Sequence, residues 1–225
     1  MARIARVSGG DAGLRVKLAY FFTRRQLARL TGREPEDIIE PLELYAHAPG
    51  LMFAYGKLEA ASAQQGRVDW RLKVLAGLKA ATLTHCEFCI DLGSQVARLA
   101  GLSDEQLLAL PHYRDTDLFT NLEKLVLDYA TGMSRTPVEV PDALSARLRE
   151  HFDEAQLVEL TSAIALENMR GRFNLALGVG AAGFSEGMVC AVPAVPSRQL
   201  SAVSHQQENW PLKADLPTPG QPPGA

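Results

Sequence analysis

A chain of 225 residues with 47% hydrophobic and 22% charged residues is long enough to bury one good-sized core and has the composition of an ordinary globular protein. Its net charge of −3, with no basic run longer than Arg24-Arg25, excludes an extended phosphate-binding surface, so no nucleic-acid partner is expected. No apolar run approaches the roughly 20 residues that span a bilayer, and the first residues lack the apolar core of a secretory signal. No membrane partner is expected, and the expected location is cytoplasmic.

Strand signals are almost absent, while helical periodicity recurs along the chain. Helices are expected over Leu18 to Leu30, Pro41 to Ala48, Leu51 to about Gln64 and Asp69 to Leu83. A fifth carries two cysteines: Thr84 followed by Glu87 reads as a capping box, which places Cys86 in the first helical turn and ends the helix at Gly101. Ser103 with Gln106 opens a short helix that stops before Pro111. Asp117 to Thr131 follows, with an apolar stripe of Leu118, Leu122, Leu125, Val126 and Tyr129. Asp142 to His151 and a long helix opened by Asp153 and Gln156, reaching about Leu177, complete an all-α body. Residues 1–15 read as an N-terminal tail, 16–190 as the helical domain, and 191–225 as a Pro-rich tail that holds seven of the thirteen prolines. That tail is expected to be irregular, with Trp210 as an anchor against the body or a neighbouring subunit.

The chemistry is expected at Cys86-Glu87-Phe88-Cys89. A thiolate, not a thiol, is the nucleophile, and the start of a helix favours it through unpaired N–H groups and the positive end of the macrodipole. Residues three apart lie one turn apart on one face, within the Cα range of a disulfide. Glu87 acts against a second negative charge. Cys86 is expected to be the more accessible thiol and Cys89, aligned with Leu92, Val96 and Leu99, the more enclosed. Cys190 is expected to stay outside the pair. Two plainer readings compete: inert packing of two small residues, and a structural zinc site, for which His85 would be a third ligand but a fourth is missing. A thioredoxin fold is excluded, because Leu72 to Leu83 reads as a helix where that fold needs a strand.

The segment Ala80-Ala-Thr-Leu-Thr-His-Cys-Glu-Phe-Cys-Ile-Asp-Leu-Gly-Ser94, continued by Ala97-Arg-Leu-Ala-Gly-Leu-Ser-Asp-Glu-Gln-Leu107, resembles the carboxymuconolactone decarboxylase family in its alkylhydroperoxidase D-like branch. Glu167-Asn-Met-Arg-Gly-Arg-Phe-Asn174 is similar to that family's closing helix, and the likeness spans about residues 45–180. The resemblance implies an oligomeric all-α bundle and a redox cycle run by the two cysteines, the second of which meets the peroxide. It also implies a proton relay from a Glu twelve residues before the first cysteine and a His four residues after the second. Those positions hold Val74 and Gly93, neither of which moves a proton. The decarboxylase branch generally lacks the cysteine pair, which disfavours lactone decarboxylation, and a small-molecule lyase or isomerase is only a third reading.

Substitute proton carriers are sought in His85, Glu87 and Asp91, against plain readings of a polar residue before the helix, a cap and a solvated helix face. Glu167, Arg170, Gly171 and Asn174 share a face of the closing helix. They read first as a buried ion-pair network and second as a substrate-facing wall with Glu167 as a remote proton carrier. The expected function is a thiol-dependent oxidoreductase or weak peroxidase using Cys86 and Cys89, with His85, Glu87 and Glu167 as further site residues. It would act on a peroxide or a small disulfide with an unidentified thiol reductant, and no cofactor or metal is expected. The competing expectation is a non-catalytic binding or assembly protein that has lost the relay, in which Gly93 opens space for a ligand beside Cys89. In either case a homo-oligomer is expected.

Overall fold

The structure, a computed structural model, describes residues 2–33, 39–64 and 66–193; the remainder of the Pro-rich stretch, with Trp210, lies outside the described residues. Among the described residues there is no strand. The elements in chain order are α1 (Leu14–Thr31), α2 (Glu40–Tyr45), α3 (Pro49–Gln64), α4 (Trp70–Thr84), α5 (Glu87–Leu99), α6 (Asp104–Ala109), a 3₁₀ turn Leu110–Asp115, α7 (Asn121–Met133), α8 (Asp142–Arg149) and α9 (Glu154–Leu177).

The centre is α4, which packs most extensively against α9, α5 and α7. Its buried residues Leu72, Leu75, Ala76, Leu78, Lys79, Ala80, Ala81 and Thr82 lie on almost every side, as expected of a helix surrounded by others. Leu72, Ala76 and Ala80, four residues apart, face a core with Leu125, Val126, Ala130, Leu148, Phe152, Leu160 and Ile164. Leu75, Leu78 and Ala81 face a second core that contains Met52, Cys86, Phe88, Cys89, Leu107, Leu110 and Phe184.

Local capping explains where the helices begin. The boxes Ser103–Gln106 and Asp153–Gln156 form as the sequence suggests. The helix expected from Asp117 starts at Asn121 instead, because Thr120 and Glu123 make the capping box. Glu123 also pairs with Arg71 at 2.8 Å. Burial pushes the Glu123 carboxyl up, but the Thr120 N–H and the Arg71 guanidinium outweigh it and hold it below the ordinary range. The first helix begins at Leu14, and the segment before it is docked: Arg3 N donates to Leu177 O, Val7 N donates to Glu43 O, and Ala12 is buried.

The apolar stripe of α7 is not available to a neighbouring subunit. Leu125 and Val126 are buried, Leu122 and Tyr129 pack against the same core, and only Leu118, before the helix, is exposed. Exposed apolar surface lies instead on α1, at Leu14, Leu18, Phe21 and Phe22. Among the described residues no helix is long and apolar enough to cross a membrane.

One buried cation has a measurable consequence. Lys79 is 2% exposed; its Nζ donates to Leu110 O at 3.2 Å and lies 4.8 Å from the Tyr113 ring centroid. Burial, with Arg114 acting in the same direction and Asp128 against it, lowers its pKa to about 8. The unfolded chain keeps an ordinary lysine, with a pKa of about 10.4. Between about pH 8 and 10 the unfolded chain therefore holds a proton that the folded chain has released, and stability rises with pH across that window. Because buried tyrosines such as Tyr20 and Tyr113 have raised hydroxyl pKa values and act in the opposite direction as the pH nears 10, the lysine is read as a difference: in chemical denaturation the stability of the wild type relative to Lys79→Met is expected to rise by on the order of 1–2 kcal/mol from pH 8 to 10.

Candidate functional site

Cys86 and Cys89 are joined in a disulfide with their Cα atoms 5.2 Å apart, and Cys190 is free and partly buried. Cys86 is itself the N-cap of α5: its backbone is extended, and its Sγ accepts a hydrogen bond from Cys89 N at 3.2 Å. This corrects the expectation of a Thr84–Glu87 capping box. Thr84 is the last residue of α4, where its hydroxyl donates back to Ala80 O and Ala81 O. His85 follows with φ 57°, left-handed, and its N–H closes the end of α4 on Ala81 O. One helix therefore ends and the next begins across two residues, His85 and Cys86, which brings the sulfurs into the bundle. Glu87 is exposed in the first turn of α5, where a carboxylate suits the helix dipole. The expected order of exposure is also reversed: Cys86 is 1% exposed and Cys89 7%, because Cys86 sits inside the corner. Nor does the Cys89 stripe stay buried along the helix, since Leu99 is 51% exposed.

Asp91 is neither a solvated residue nor placed as a proton carrier. It is 5% exposed, and its carboxylate accepts four successive backbone N–H groups, from Ala182, Gly183, Phe184 and Ser185, at 2.6–3.0 Å. The Ser185 hydroxyl donates to Asp91 O at 2.8 Å, Ala191 N donates to Ser94 Oγ at 3.0 Å, and Arg98 donates to Val189 O. The chain after α9 is thereby strapped along α5, with Phe184 fully buried and edge-on to Phe88.

On α9, Glu167 and Arg170 form an ion pair, and Glu59 of α3 grips the same guanidinium, with Arg170 Nε 2.7 Å from Glu59 Oε1. Burial pushes the Glu167 carboxyl up; Arg170 opposes this and Glu59 reinforces it. Burial likewise raises the nearby Tyr55 hydroxyl. Tyr45 stacks between the Tyr55 and Phe173 rings, at 4.8 and 3.9 Å between centroids. The group has the form of the ion-pair network. One turn beyond Arg170, Asn174 is 3% exposed and its Nδ2 lies 3.5 Å from Cys86 Sγ and 3.6 Å from Cys89 Sγ. The shared face was visible in the sequence, but the contact with the sulfurs was not. It depends on Gly171, where a Cβ would fall 2.5 Å from Thr84 Oγ1; a small residue on a polar face was the available signal. Among the described residues no three His, Cys, Asp or Glu side chains are grouped to share a metal ion.

Residues 49–132 match the carboxymuconolactone decarboxylase family. The uncharacterised protein YnjA of Escherichia coli K12 is 35% identical over 174 residues, covering 75% of this chain and 91% of YnjA. The chain belongs to the carboxymuconolactone decarboxylase family. YdfG of Bacillus subtilis, also uncharacterised, is 30% identical over 120 residues, or 53% of this chain and 82% of YdfG. Among solved structures, the debrominase Bmp8 superposes with a TM-score of 0.68 at 17% identity, covering 81% of this chain and 93% of its own. A peroxidase-related protein from Ralstonia eutropha with an alkylhydroperoxidase AhpD core gives 0.65 at 16% identity, covering 87% and 97%. These likenesses establish an alkylhydroperoxidase D-like fold.

The positions that the family resemblance gives to the relay hold an apolar side chain, Val74, and a glycine, Gly93. Val74 packs partly buried against the core that contains the cysteines. Gly93 does not open a ligand space in the direction a side chain would take: its Cβ would meet Leu78 Cδ1 at 3.1 Å, and Leu78 is 2% exposed.

Replacing Asp91 tests the strap. Charge-assisted hydrogen bonds contribute about 1.5–3 kcal/mol each but do not add fully. Asp91→Ala is expected to cost on the order of 3–5 kcal/mol, a fall of about 10 °C in Tm, and to admit proteolysis between residues 182 and 191. An unchanged melting temperature would refute the structural role.

Proposed function

We propose that this chain is a thiol–disulfide oxidoreductase whose working couple is Cys86 and Cys89, with peroxide reduction as a slow secondary activity. The observation that carries the reading is the disulfide itself, set at the start of α5 with its sulfurs in contact with Cys89 N and Asn174 Nδ2. Reduction begins when an external thiolate attacks one sulfur: a new S–S bond forms, the Cys86–Cys89 bond breaks, and the departing sulfur leaves with the electron pair. A second reductant thiolate then resolves the mixed disulfide. Cys86 has two N–H donors and Cys89 one, which favours Cys86 as the departing thiolate, and the greater exposure of Cys89 favours attack there. With a peroxide, the Cys89 thiolate would take one oxygen as the O–O bond breaks, releasing an alkoxide that takes a proton from solvent. Cys86 would then displace water from the sulfenic acid and restore the disulfide. Val74, Leu78 and Gly93 offer no proton to the alkoxide, which is the reason for expecting a low peroxide rate.

Val74 and Gly93 favour a second reading, a binding or assembly protein that has kept the fold without turnover. The decisive experiment is mild reduction and reoxidation followed by linkage mapping by mass, alongside consumption of a small disulfide and of an organic hydroperoxide with a dithiol reductant. The expected result is a reversible Cys86–Cys89 bond with Cys190 unlinked, disulfide exchange lost by a factor of about 100 or more in Cys86→Ser and Cys89→Ser, and slow peroxide loss. A pair that neither reduces nor exchanges in the folded protein would overturn the oxidoreductase reading and leave the binding role.

Self-association is proposed on the same footing. Leu14, Leu18, Phe21 and Phe22 expose contiguous apolar surface along α1, which an isolated soluble chain rarely leaves bare. Sedimentation at micromolar concentration is expected to show a species of at least twice 24.4 kDa, and Phe21→Glu with Phe22→Glu is expected to dissociate it.

A further inference from the structure

Resting on the oxidoreductase reading, and going beyond the cysteine pair, we propose that Asn174 belongs to the redox centre. Its side-chain amide is the donor that stabilises the thiolate released when the Cys86–Cys89 bond opens. The Nδ2 group stands 3.5 Å from one sulfur and 3.6 Å from the other, on a residue 3% exposed. A buried amide N–H needs an acceptor, and a disulfide sulfur is a poor one. A thiolate is a much better acceptor, because a hydrogen bond to an ionised group is about twice as strong as one between neutral groups. The contact therefore gains strength when the disulfide is reduced. The second donor, Cys89 N at 3.2 Å from Cys86 Sγ, changes in the same direction. The two N–H groups converge on Cys86 from different elements, one from α5 and one from α9. The position of Asn174 does not depend on the redox partners, since it is held by the backbone of α9 where Gly171 lies against Thr84.

The electrons balance as an ordinary exchange: two enter the Cys86–Cys89 bond from a dithiol reductant, which leaves as its own disulfide. The proton that would neutralise the product thiol stays in solution for as long as Asn174 and the helix start hold the thiolate. A donor at this point lowers the thiol pKa and makes the couple easier to reduce.

The test compares the wild type with Asn174→Leu, which is close in size and lacks the donor, and with Asn174→Asp, which replaces it by an acceptor. Reduction potentials are read by equilibration with dithiothreitol redox buffers, and thiolate pKa values by ultraviolet absorbance against pH in protein prepared fully reduced. The Leu variant is expected to raise the first thiol pKa and to shift the thiol–disulfide equilibrium about tenfold toward the disulfide, which for a two-electron couple is about 30 mV. The Asp variant is expected to shift it further the same way. Folded Leu and Asp variants with wild-type potential and pKa would overturn the proposal. If neither variant folds, the wild type decides: in the reduced protein the Asn174 side-chain amide protons, followed by NMR, are expected to titrate with the thiol. Amide signals that ignore the thiol titration would equally overturn it. Because the pKa and NMR measurements use protein reduced in denaturant and refolded with the reductant present, they give an answer about Asn174 even if the folded wild-type pair proves inert toward every thiol and peroxide, the outcome that defeats the oxidoreductase reading alone.

Discussion

At Gly171 the backbone of α9 lies so near the last turn of α4 that a single added methyl would fall 2.5 Å from Thr84 Oγ1 and 2.9 Å from its Cβ. Threonine is branched at Cβ and cannot swing away cheaply, so the contact admits hydrogen and little else. Three features depend on it. The corner of Thr84, His85 and Cys86 is packed against a second helix, Asn174 is carried one turn further to the sulfurs, and Arg170 is set where Glu59 and Glu167 can share its guanidinium. A packing distance between two helices thereby fixes the surroundings of a covalent bond that belongs to a third.

The features that could be read in the sequence were those decided within a turn or two of chain. The boxes at Ser103 and Asp153 need only residues three apart, and they formed where the pattern stands. The identical pattern at Thr84 failed because Thr84 is the end of a buried helix, and its hydroxyl was already engaged with Ala80 and Ala81. Glu167 with Arg170 was legible as a pair at one-turn spacing; Glu59, 111 residues away, was not. Asp91 shows the limit most clearly. A single carboxylate in a helix looks like a solvated residue, and nothing local announces that four amides more than ninety residues later will converge on it. The order of exposure at the cysteines is the reverse of the expected one because Cys86 lies inside the corner between α4 and α5, with Asn174 of α9 against its sulfur.

Two cores lie on either side of α4. One is built around Leu125, Val126, Leu160 and Ile164, and the helices that supply it also carry buried Glu123 and Glu159, paired with Arg71 and Lys73. The other holds both sulfurs and the aromatic residues Tyr20, Phe88, Tyr113 and Phe184. Polar groups that must be buried are each given a partner at its edge: Lys79 has the Leu110 carbonyl and the Tyr113 ring, and Tyr113 its hydrogen bond to Asp128.

The strap on Asp91 has a consequence for how the helix can be used elsewhere. A Cys-x-x-Cys helix looks like a portable cassette of about fifteen residues. Here α5 is finished by groups that lie outside it: the amides of 182–185 for its central carboxylate, and Ala191 N for Ser94. Grafted alone into another bundle, it would arrive with a buried anion and no donors, and the host would have to expose it or neutralise it. The transplantable unit is the discontinuous pair of α5 and residues 182–191, and a recombination breakpoint between them would separate a charge from its only described source of neutralising amides.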